Sequence, residues 1–82
     1  MKPGPLLGRL ATGATANVPF SDMRRLVEAF GFRLARVSGS HHIYSREGIP
    51  ELVNLQEVRG HAKPYQIRQF LGLVEKYGLR ID

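Results

Sequence analysis

The stretch from residue 32 to residue 55 is cut by turn residues into short apolar runs, and that spacing constrains the fold more than any other feature. Phe32–Val37, His41–Tyr44 and Leu52–Leu55 each have the length and the β-branched or aromatic content of a strand. Ser38-Gly39-Ser40 separates the first two, and a second turn spans Arg46–Pro50. Connections this short join only antiparallel neighbours, because a parallel crossover needs a dozen residues or more. The expectation is a three-stranded antiparallel meander with one face requiring cover.

Two amphipathic segments can supply that cover. Ser21 reads as an N-cap, with Asp22 favourable in the first helical turn. Met23, Leu26, Val27 and Phe30 then recur at the spacing of one buried stripe, with Arg24, Arg25 and Glu28 on the other side. Gly31 stands where a left-handed residue ends a helix, so the spacing predicts a helix over 22–30. Pro64 suits the first turn of a second helix, because its missing N–H costs nothing there. Ile67, Phe70, Leu71, Val74 and Tyr77 give it an apolar stripe, Lys76 lies in its last turn, and Gly78 stops it. The order helix, three strands, helix defines an α+β domain with both helices on one face of the sheet. Residues 1–17, rich in Gly, Pro, Ala and Thr, read as an N-terminal arm with a short helix around Leu6, Leu7 and Leu10. Residues 18–82 carry the domain.

Size and charge narrow the function. With 82 residues the core is thin, which excludes dinucleotide folds, barrels and deep cofactor pockets. The net charge is +5, and the first half holds six basic and two acidic residues. A small basic domain meets nucleic acid, an anionic membrane surface or an acidic protein. There are no cysteines, so disulfides and thiolate metal sites are excluded and a reducing cytoplasm is expected. No apolar run is long enough to span a membrane. Ala14-Thr15-Ala16 has the form of a signal-cleavage site, but Pro3, Gly4, Pro5, Gly8 and Arg9 interrupt any apolar region before it.

Histidine is the side chain best suited to acid–base work near neutral pH, and the chain has three. His41 and His42 follow the Ser-Gly-Ser turn; strand alternation sends one imidazole towards the helices and the other to solvent. His41 shares a face with Ile43, and His42 with Tyr44. Diverging neighbours with no carboxylate at ligand spacing make a poor metal site. His61 lies between Arg59 and Lys63, ahead of the last helix, where these cations and the helix N-terminus read either as a phosphate seat or as a solvated loop with ordinary basic residues. No phosphate-binding glycine loop, Gly-x-Ser-x-Gly elbow, His-Glu-x-x-His helix or catalytic carboxylate pair is present.

The run Gly39-Ser40-His41-His42-Ile43-Tyr44, with the Gly31-Phe32 helix exit and the Lys63-Pro64 helix entry, resembles the HicA (YcfA-like) toxins of bacterial toxin–antitoxin modules. The likeness covers about residues 18–79. It implies a fold like a double-stranded-RNA-binding domain, α-β-β-β-α. It also implies cofactor-free, metal-independent cleavage of mRNA and neutralisation by a HicB-type antitoxin. The family's functional histidine falls on His41, or one place later in some members, on His42; His41 is preferred. Arg36, Ser38, Gly39, Ser40, Arg59, His61 and Lys63 are the accompanying RNA-contact candidates. A non-catalytic RNA-binding module and a protein-interaction domain are the other readings of the same residues.

Overall fold

In the computed structural model, which describes residues 1–81, the chain runs α1 (Pro3–Ala11), α2 (Phe20–Ala29), β1 (Arg33–Ser38), β2 (His41–Arg46), β3 (Ile49–Val58), β4 (His61–Ala62) and α3 (Pro64–Tyr77). The strands form one antiparallel sheet in the order β1-β2-β3-β4. The sheet therefore has four strands where three were expected. The added strand is short and is made by its turn: Arg59 and Gly60 both take positive φ, 53° and 80°, which folds the chain into a two-residue hairpin. Arginine seldom adopts that conformation, so its turn carries no sequence signal.

Met23, Leu26, Val27 and Phe30 of α2, Ile67 and Phe70 of α3, and Phe32, Tyr44, Val53 and Leu55 of the sheet side are all buried in one core. Phe70 sits edge-on to Phe30 at 5.5 Å and to Phe32 at 5.7 Å between ring centroids, fixing the helix pair over the sheet. Each such contact adds about 0.5–1.5 kcal/mol beyond the area it buries. Leu6 and Leu10 of α1 enter the same core, and the Met1 amino group pairs with Asp22 at 2.9 Å. The Tyr44 hydroxyl accepts a bond from Arg24 Nε at 3.3 Å; burial pushes that phenol's pKa up, against the pull of the arginine.

The start of α2 differs from the expectation. Pro19, not Ser21, occupies the cap position, and no side chain caps the helix. Val18–Phe20 is extended alongside β4: Ala62 N–H donates to the Val18 carbonyl at 2.9 Å and Phe20 N–H to the Gly60 carbonyl at 2.8 Å. That pairing already satisfies the first N–H of α2, so tertiary contact replaces the serine cap.

At its other end, α3 is tied to β3. Glu51 accepts from Lys76 Nζ at 2.7 Å and from the Tyr77 hydroxyl. Midway, the buried Gln66 side chain accepts the Gln56 backbone N–H at 2.7 Å, covering the edge of β3 just before β4 begins. No helix among the described residues is long and apolar enough to cross a membrane.

Candidate active site

The β1–β2 hairpin carries the centre of the site. Gly39 takes φ 60°, a value the first central residue of a two-residue hairpin needs and a side chain resists. Ser38 then pairs with His41, and β2 begins on the histidine. Tyr44 is buried, so by alternation His42 lies on the helix-covered face and His41 on the open one. His42 packs edge-on against Phe20 at 4.8 Å, and its Nδ1 is 3.4 Å from the Ser40 carbonyl. His41 Nδ1 lies 3.2 Å from Asn54 Oδ1 on β3. With the amide oxygen as acceptor, the bond takes its proton from Nδ1, an arrangement that leaves Nε2 as the free ring nitrogen.

Arg36 reaches this face through an irregularity. Leu34 pairs with Tyr44, but Arg36 pairs with Ile43, leaving Ala35 as an extra residue in β1. Plain alternation sets Arg36 on the same side as Leu34. The bulge reverses the parity and brings Arg36, with Ser38, onto the face of His41. Arg33, opposite Ser45, and Asn54 and Gln56 of β3 stand on that face too. The sequence singled out none of these three. A polar side chain in the middle of a long strand was the available signal for Asn54.

Arg59, His61 and Lys63 form a second group. Strand direction alternates, so the β3–β4 turn lies at the same end of the sheet as the β1–β2 turn. The three line a shallow groove of about 320 Å³ with Asn17, Val58 and Pro64. Ser40 joins the two regions, its carbonyl accepting the Glu57 N–H at 3.2 Å. Among the described residues, Arg33, Arg36, Arg59 and Lys63 form no ion pair. Nor do three His, Cys, Asp or Glu side chains gather there as a metal site requires.

Helices on one side and an imidazole among cations without ion-pair partners on the other define a small basic α+β domain with one open sheet face. A family model described as HicA toxin of bacterial toxin–antitoxin matches residues 20–75, well over half of the chain. The chain belongs to the HicA toxin family, and that membership implies an antitoxin partner. No curated protein and no solved structure gives a significant match. The matched span contains the hairpin, the bulge, the second basic turn and most of α3; α1 lies before it.

Proposed function

We propose that this chain is an endoribonuclease that cleaves mRNA by metal-independent acid–base catalysis at His41 and is silenced by a HicB-type antitoxin. The observation that carries the reading is the His41 imidazole on the open, basic face, with Nδ1 engaged by Asn54 and the lone pair left on Nε2. In the reaction Nε2 takes the proton of a ribose 2′-hydroxyl, and O2′ attacks the adjacent phosphorus. The bond to the 5′-oxygen breaks and that oxygen leaves with a proton from water, giving a 2′,3′-cyclic phosphate and a 5′-hydroxyl. An imidazole suits this task and contributes about 10²–10⁴ in rate. Arg36 on the same face offsets charge growing on the phosphoryl oxygens, and Arg59 and Lys63 hold the flanking backbone. An antitoxin that covers this face blocks substrate and base together.

The test is cleavage of RNA, and of a DNA strand of the same sequence, by chelator-treated protein. RNA alone is expected to be cut, with a cyclic phosphate end, and His41→Ala is expected to slow the cut by about 10²–10⁴. Salt-sensitive RNA binding without cleavage would mark a non-catalytic binding module instead.

A further inference from the structure

We infer that Asn54 is a positioning residue for the His41 imidazole, holding the ring in the Nδ1–H tautomer so that Nε2 is the atom presented as base. The inference rests on the ribonuclease reading for its consequence in rate, though not for its structural content. Four observations support it. The two side chains lie 3.2 Å apart between Nδ1 and Oδ1. Asn54 pairs across the strands with Ile43, two places along β2 from His41, so the contact is a diagonal one on a single sheet face. The asparagine is also held rigidly. Its chain neighbours Val53 and Leu55 are buried in the core, and two residues on, the Gln56 N–H is fixed by the buried Gln66. A side chain anchored in this way loses little freedom when it orients a partner.

The fourth observation is chemical. Asparagine is disfavoured in the middle of a strand, where β-branched and aromatic residues pack better. Such a local conflict is tolerated where a side chain has another task, and here the task in view is the bond to His41. Asparagine also matches the task better than its relatives. Its amide oxygen accepts from Nδ1–H whether the ring is neutral or cationic, so the orientation survives the proton transfer. A leucine offers no acceptor, while an aspartate accepts but adds a negative charge that favours the cationic ring.

These differences make the test. Imidazole nitrogen shifts, read by NMR on the free protein, report the tautomer without any RNA. Wild type is expected to show the Nδ1–H form at His41, Asn54→Asp to retain it, and Asn54→Leu to lose it. In cleavage, Asn54→Leu is expected to lower kcat about tenfold or more with little change in KM, since Asn54 acts through the base. Asn54→Asp is expected to move the acidic limb of the pH–rate profile upward by about one unit. An unchanged His41 tautomer and pH profile in a folded Asn54→Leu protein would overturn the inference. If Asn54→Leu does not fold, Asn54→Asp decides alone: an unmoved limb overturns it. Failure of the ribonuclease reading is separate: the chelator-treated wild type would then bind RNA without cutting it, or His41→Ala would cut as well as wild type, and neither result alters the tautomer read by NMR at His41 of the wild type.

Discussion

His41 and His42 are adjacent in the chain and stand on opposite faces of the sheet, the first bonded to Asn54 and the second packed edge-on against Phe20. Their substitutions should therefore separate. His41→Ala is expected to reduce RNA cleavage by about 10²–10⁴ and leave the unfolding midpoint almost unchanged. His42→Ala removes an aromatic contact that ties the hairpin to the start of α2, at a cost of about 0.5–1.5 kcal/mol in stability. Its cleavage should persist. Parallel cleavage assays and denaturant titrations of the two variants check both halves of this claim. The opposite pattern would move the catalytic role to His42.

Gln66 makes a prediction about the frame beneath the site. Its buried side chain is the acceptor for the Gln56 N–H at the edge of β3, 2.7 Å away. Gln66→Leu fits a similar volume but leaves that N–H without a partner, which should destabilise the protein by about 1–3 kcal/mol. Hydrogen exchange at the Gln56 amide should accelerate more than at the amides of β2. A variant with wild-type stability and unchanged exchange would show that β3 does not depend on this cap.

Much of this frame was legible in the chain. The stripes Met23-Leu26-Val27-Phe30 and Ile67-Phe70 are buried as their spacing requires, because one helical face can meet the core only at that period. The short Gly39 turn forces antiparallel pairing by geometry alone. What escaped notice depends on partners distant in sequence. β4 exists because Val18–Phe20 and β3 flank it, and Pro19 serves as the cap of α2 because the Gly60 carbonyl already takes the Phe20 N–H. In the candidate site, the histidine turn is a local signal, readable from Gly39 to His42 alone. Asn54 meets His41 only once β2 and β3 are in register, and Arg36 joins their face only through the bulge at Ala35.

That bulge leads to a prediction about RNA binding. Arg36 shares the open face with His41, whereas Arg25 lies on α2 and pairs with Asp22. One phosphate contact removed from a single-stranded ligand lowers the slope of log K against log salt by about 0.7. Arg36→Gln should weaken RNA binding and reduce the slope by that amount, while Arg25→Gln should leave the slope where it is. Titrations of a fluorescent RNA at several salt concentrations measure both. Equal effects from the two substitutions would mean that binding follows net charge rather than the sheet face.

The tie between β3 and α3 should respond to acid. The bond from Lys76, and after it the bond from Tyr77, holds the Glu51 carboxyl below its ordinary pKa of 4.5. A carboxylate held low in the folded state contributes stability above the unfolded value, and that contribution is lost as pH falls through the folded value. Lys76 and Tyr77 are both held above their ordinary values, first of all by their hydrogen bonds to Glu51, so the three groups form one unit at neutral pH. Glu51→Gln should therefore be less stable than wild type near pH 7. The gap in urea midpoint should narrow as pH drops below about 4.5, where the wild-type carboxylate takes up its proton. Both partners are near the surface, so added salt should shrink the gap as well. A gap that stays constant from pH 7 down to pH 3 would show that Glu51 acts through packing or neutral hydrogen bonding and not through its charge.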